Sequence, residues 1–208
     1  MFTNSLSNRM IRLPLVRSVR LVALVASVLG LNACNDTLGL RASLSVVFDT
    51  TSVYSLTSSP INYPAAFSFG SGLPVRVDPS MGFEIAFDLP GNGKVQLIPA
   101  RRISTTRIVS GIASSSPQVG MQLVKGSFES MTKAPTGGYT RDSTFVVAPG
   151  EAVVLELSGD ACTYSLVSQQ YAKLVVDSIN TSRRQIYFRA VRDPNCGFRS
   201  LQPGVPKS

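Results

Sequence analysis

The chain has 208 residues, 20 Lys+Arg against 12 Asp+Glu, 44% apolar residues and only 15% charged ones. That balance is enough to bury a core and excludes a charged disordered segment. The count of zero histidines excludes Ser-His-Asp and Cys-His nucleophiles, His-ligated zinc and a histidine general base. The formal charge of +8 is the composition of a partner for acidic molecules, until its distribution is read along the chain.

Residues 1–33 read as a targeting segment. Arg9, Arg12, Arg17 and Arg20 make a positive region with no acidic residue. Leu21 to Leu31 is an uninterrupted apolar run, too short for the roughly 20 residues a bilayer span needs. It fits the apolar centre of a secretory signal instead. Leu31-Asn32-Ala33-Cys34 then resembles the lipobox of bacterial lipoproteins: an aliphatic residue, a small residue, Gly/Ala/Ser, then cysteine. Asn32 is the one departure, being larger and more polar. The resemblance covers only the leader. It implies acylation of Cys34, cleavage before it, and a membrane as partner through the lipid anchor. Stable anchoring takes two acyl chains or more. Asn35 follows the cysteine. By resemblance to enterobacterial lipoproteins, where Asp there favours inner-membrane retention, it implies delivery to the outer membrane. The alternative is an ordinary signal peptide cut after Ala33, leaving Cys34 a free thiol.

Removing the leader takes away four arginines and leaves 16 Lys+Arg against 12 acids, a net charge of +4. No basic run longer than two remains (Arg101-Arg102, Arg183-Arg184), so no nucleic-acid partner is expected. Residues 34–39 make a tether whose six residues reach at most about 20 Å. The folded domain should then stay near the membrane.

From there the chain reads as β. Leu40 to Asp49 alternates, with Leu40, Ala42, Leu44, Val46 and Phe48 expected on the buried face. Gly82 to Leu89 alternates too, with Phe83, Ile85, Phe87 and Leu89 inward and Glu84 and Asp88 outward. Pro90-Gly91-Asn92-Gly93 predicts a hairpin turn, with Lys94 to Ile98 as the return strand. Further strands are expected at 52–57, 61–69, 74–77, 106–112, 121–130, 144–148, 152–158, 171–179 and 185–192. Pro149-Gly150 and Asn180-Thr181-Ser182 supply turns. The best place for one helical turn is 165–173. The loosest stretch is 132–142, a long loop or hinge. Such spacing predicts an all-β fold, an antiparallel β-sandwich of the immunoglobulin-like or a related kind, with about ten strands. It spans 40–202, followed by a flexible tail at 203–208.

Cys162 and Cys196 are the even pair left once Cys34 is set apart, and in an exported protein they are expected to form a disulfide. A redox pair would show Cys-x-x-Cys spacing, which they lack. Glu84 and Asp88 stand four residues apart on one strand, about 13 Å, too far for a glycosidase pair. Asp78, Glu129 or Glu156 from elsewhere would have to complete one; a solvated sheet face is the expected role. Asp88-x-x-Gly91-Asn92-Gly93 departs from a calcium loop, with prolines at its third and twelfth positions, Pro90 and Pro99. No metal site or cofactor is expected. The tyrosines at 54, 63, 139, 164, 171 and 187 are the available handles for a sugar; Tyr187, beside Gln185, is either an exposed platform with Arg189 or the cover of a core edge, and the core edge is expected.

The function expected is a non-enzymatic envelope lipoprotein with a binding or structural domain, on an unknown envelope protein or glycan. A carbohydrate-binding or adhesion module is the alternative, and a carboxylate-dependent glycan hydrolase the third reading.

Overall fold

The computed structural model describes residues 41–78, 82–103, 117–158, 162 and 164–207. The leader, Cys34, the tether and the strand expected at 106–112 lie outside them. Among the described residues there are eleven strands: β1 (Val47–Tyr54), β2 (Ala66–Ser68), β3 (Leu73–Val75), β4 (Ile85–Asp88), β5 (Val95–Pro99), β6 (Gln118–Leu123), β7 (Thr140–Arg141), β8 (Phe145–Val147), β9 (Ala152–Ser158), β10 (Gln169–Asn180) and β11 (Gln185–Asp193). A 3-10 turn lies at Ala100–Arg102. Every strand pairing is antiparallel. A large sheet runs β1-β11-β10-β9-β6-β7 and a small sheet runs β3-β2-β4-β5-β8.

The two sheets share one core, which makes the fold a sandwich. Val153, Leu155, Leu174, Val176, Ile186 and Phe188 of the large sheet join Phe67, Ile85, Phe87, Val95 and Leu97 of the small one. Phe188 of β11 stacks on Phe87 of β4 at 4.8 Å and meets Phe67 of β2 edge-on at 5.2 Å. Strict alternation along β11 places Ile186, Phe188 and Ala190 in that core and leaves Tyr187 on the other face.

The large sheet is also covered on its outer face. Val46, Phe128, Ala152, Val175 and Val191 form one outer cluster, and Ala134, Val154, Tyr171 and Leu201 another. The cover is chain that carries no long strand, residues 124–139 and 198–206. Ala134 N–H donates to Arg199 O at 2.8 Å and Leu201 N–H to Thr132 O at 2.9 Å, so the two covering segments pair with each other. Lys173 of β10 is buried beneath them. Its Nζ donates to Phe128 O and Met131 O at 2.7 and 2.8 Å and sits over the Phe128 ring. Burial lowers its pKa from the usual lysine value.

This second apolar layer accounts for several departures from expectation. The first strand starts at Val47, and its predicted inward face does not hold: Leu44 and Phe48 are 53% and 46% exposed, while Val46 is buried on the outer side. Of β1, Val53 enters the central core. The stretch 132–142, expected to be the loosest, is fastened by the Ala134 and Leu201 bonds and by β7. Chain beyond Leu123 leaves β6 and turns into the cover, so the strand expected to run to 130 is short. Instead of a helical turn, 169–173 pairs with β9 from Ser158 to Val154. The tail expected to be flexible makes a bond at Gly204, whose carbonyl accepts Val46 N–H at 2.8 Å, and Pro206 is buried. Where no second layer intervenes, expectation and structure agree closely. The β4–β5 hairpin turns at 90–93 with Gly91 and Gly93 at positive φ.

Candidate functional site

The ends of the sandwich differ. One, the entry end, gathers the start of β1, the end of β11, the β9–β10 loop and the 3-10 turn after β5. The other carries the 90–93 hairpin turn.

At the entry end Cys162 and Cys196 form a disulfide with Cα atoms 5.7 Å apart. It ties the β9–β10 loop to the turn after β11. That turn is built on side chains that imitate backbone. Asn195 Oδ1 accepts the N–H groups of Ser43 and Leu44, both at 3.0 Å, and its Nδ2 donates to Leu44 O and Asp193 Oδ1, both at 2.7 Å. Asn195 thus stands in as a strand partner for the incoming chain. Asp193 is buried beneath it, and burial pushes its carboxyl pKa up. Nothing local in the sequence shows that the turn at Asp193 to Gly197 captures 43–44, a contact across about 150 residues of chain.

The acidic residues are engaged in tertiary contacts, which corrects the expectation that Glu84 and Asp88 lie on a solvated face. Asp88 is buried near the hairpin end and accepts from Ser55 Oγ and from Thr57 N and Oγ1, the last two at 3.0 and 2.8 Å. Arg184 closes the group, donating to Ser55 Oγ at 2.8 Å and Leu89 O at 3.0 Å. The Asp88 carboxylate therefore faces Ser55 and Thr57. Burial pushes its pKa up, but the hydrogen bonds outweigh it and the net shift is downward.

Glu84 is partly buried and its Oε2 accepts Phe69 N–H at 2.7 Å; burial raises its pKa. Arg192 lies near it, bound to Asp49 at 2.9 Å and reaching the carbonyls of Phe69 and Gly70 at 3.4 Å. Its guanidinium packs against Gly72, at φ 75°, where an added Cβ would be 2.5 Å from Nη2. Arg192 thus sews the β2–β3 turn of the small sheet to β1 and β11 of the large one. Glu156, buried on the outer face, pairs with Arg141 and accepts from the Tyr171 hydroxyl at 3.5 Å. Glu129 pairs with Arg189 at 3.0 Å. Among the described residues no group of three or more Cys, Asp or Glu converges as a metal ligand set would.

The tyrosines do gather. Tyr54 and Tyr187 share the outer face of the β1–β11 pair near the hairpin end, set by the register Tyr54↔Gln185 and Ser52↔Tyr187. Tyr54 N–H donates to Pro64 O, which folds the β1–β2 loop back and brings the Tyr63 ring to 4.5 Å from Tyr54. Tyr63 and Tyr187 are 41% and 38% exposed. The expectation that Tyr187 covers a core edge therefore fails: residues 124–139 and 198–206 cover other parts of this face. Tyr187 OH donates to Gln185 Oε1 at 2.9 Å, and Gln185 Nε2 to Ser52 Oγ at 2.8 Å. Three phenol rings with amide and hydroxyl groups between them can stack on a flat apolar face and hydrogen-bond hydroxyls beside it. Sequence named each tyrosine; only strand register and the folded loop place 54, 63 and 187 together.

Comparison of the chain with protein-family models, with curated proteins and with solved structures finds no match in any of the three.

Proposed function

We propose that this chain is a lipid-anchored protein of the cell envelope, acylated at Cys34, whose β-sandwich is a non-enzymatic binding or structural domain. The observation that carries the reading is the leader: an arginine-rich start, an apolar run of signal length and the lipobox-like Leu31-Asn32-Ala33-Cys34. The Cys162–Cys196 bridge supports export, because such bridges persist in oxidising compartments. Asn35 favours the outer membrane over the inner. Glu84, Asp88 and Glu156 each hold backbone, hydroxyl or guanidinium groups of the fold, an arrangement that favours binding over hydrolysis.

The test is Cys34→Ser. The wild-type protein should take up labelled fatty acid and sediment with membranes; the variant should do neither. Equal membrane partitioning of the two would remove the anchor from this reading.

A second reading, a carbohydrate-binding or adhesion module, is favoured by the Tyr54, Tyr63 and Tyr187 face. Polysaccharide retention by the wild-type protein that is lost in both Tyr63→Ala and Tyr187→Ala would support it. Retention unchanged by either substitution would count against this face.

A further inference from the structure

Two side chains at the entry end stand out by their exposure. Tyr164 and Leu166, in the β9–β10 loop, are among the most exposed large side chains described. Residues 164–167 are held on both sides. Cys162 fastens one side, and on the other Val167 packs against Gly197, where an added Cβ would meet the Val167 Cβ at 2.9 Å. Leu44, half exposed, belongs to the same end, since its backbone is held by Asn195 beside Cys196. Apolar tips held out on a stapled loop mark a contact surface more than an unfinished core.

We propose that this end docks on the lipid bilayer, with Tyr164 and Leu166 entering its headgroup–acyl boundary. The inference rests on acylation of Cys34 as proposed above. The argument for the occupant is the length of chain outside the described domain and where it ends. The first pinned residue is Ser43, nine residues after Cys34, a reach of at most about 30 Å. An anchor at Cys34 therefore keeps this end within one domain diameter of the bilayer, where tethering turns a weak insertion into a populated one. Tyrosine suits the boundary, with an apolar ring and a polar tip. Charge agrees. Arg41 and Arg102 are exposed at this end, while Asp49 and Asp142 already face Arg192 and Arg101, Glu84 is partly buried on Phe69 N–H, and Asp193 is buried. The positive balance that remains suits anionic headgroups. The docked orientation leaves the Tyr54–Tyr63–Tyr187 face near the hairpin end, away from the membrane.

The chain contains no tryptophan, so one introduced tryptophan is a clean reporter. The full acylated protein carrying Tyr164→Trp is placed in vesicles of phosphatidylcholine and phosphatidylglycerol, with and without bromine on the acyl chains. Tyr187→Trp serves as the distant control, and mass spectrometry reports the acyl groups on Cys34. The expected result is blue-shifted emission from position 164 that brominated lipid quenches, with position 187 unaffected. An acylated protein whose emission from position 164 is not quenched overturns the docking while leaving the anchor intact. Blue-shifted emission that bromine leaves unchanged does the same and points to a protein contact. An exported protein without acyl groups on Cys34 overturns the anchor, and the docking with it.

Discussion

Phe188 is the residue on which the pairing of the two sheets can be tested most directly. It has no exposed surface, stacks on Phe87 and meets Phe67 edge-on, both on the opposite sheet. Truncation by Phe188→Ala removes the buried ring and leaves a cavity between sheets, a loss of about 3–5 kcal/mol. For a domain of this length that corresponds to a fall in melting temperature of about 6–20 °C. Phe48→Ala is the control: Phe48 is half exposed and touches Phe128 only edge-on at 6.5 Å, so its loss should be about 1 kcal/mol. A double-mutant cycle between Phe188→Leu and Phe87→Leu should leave a coupling of about 0.5–1.5 kcal/mol, the worth of an aromatic pair beyond its area. Urea unfolding followed by circular dichroism supplies all the values. If Phe188→Ala costs no more than Phe48→Ala, and the cycle closes to zero, the two sheets do not face each other as described.

Replacing the bridge by Cys162→Ser with Cys196→Ser should cost about 4 kcal/mol, the chain entropy of a loop whose ends are 34 residues apart in sequence, read as a lowered urea midpoint; an unchanged midpoint would deny the bridge any stabilising role. Asp88 titrates below its ordinary value of 3.8 in the fold, so its stabilisation is complete above the unfolded value and is lost as pH falls through the lowered folded one. Asp88→Asn should therefore be less stable than wild type near neutrality, with a deficit that shrinks in acid; a deficit independent of pH would refute this. Glu84 has the opposite sign: burial raises its pKa, so the stability of Glu84→Gln relative to wild type should rise as pH climbs from its ordinary 4.5 through the raised value. Gly197→Ala, at φ 82° with Val167 in the way, should cost about 1–3 kcal/mol in the same unfolding assay, and a neutral result would show that the loop gives way.

What could be read from the sequence was whatever depends on neighbours along the chain. The 90–93 turn, the run 152–158 and the alternation of Ile186, Tyr187 and Phe188 are local facts. Turn chemistry and side-chain period act over a few residues, and the structure follows them. The pairing of Cys162 with Cys196 was open to simple counting once Cys34 was set apart. These features determine an all-β chain with a bridge, and the leader determines the expectation of export.

Tertiary structure decided which side of each strand counts as inside. A period of two separates the faces of β1 without telling that its outer face also meets an apolar layer, so Val46 is buried while Phe48 and Leu44 remain exposed. That layer comes from residues 124–139 and 198–206, whose mixed composition reads as loop because their backbone bonds are made to each other across the sheet. The same holds for polar side chains. Asn195 finds Ser43 and Leu44, Asp88 finds Ser55 and Thr57, and Tyr63 finds Tyr54 only after distant segments meet. A hydrogen bond or a ring contact depends on ångströms in space, and sequence records only order along the chain. The surface that remains, three tyrosines near one end and a stapled apolar loop at the other, is what packing left uncovered, and no local pattern could have shown it.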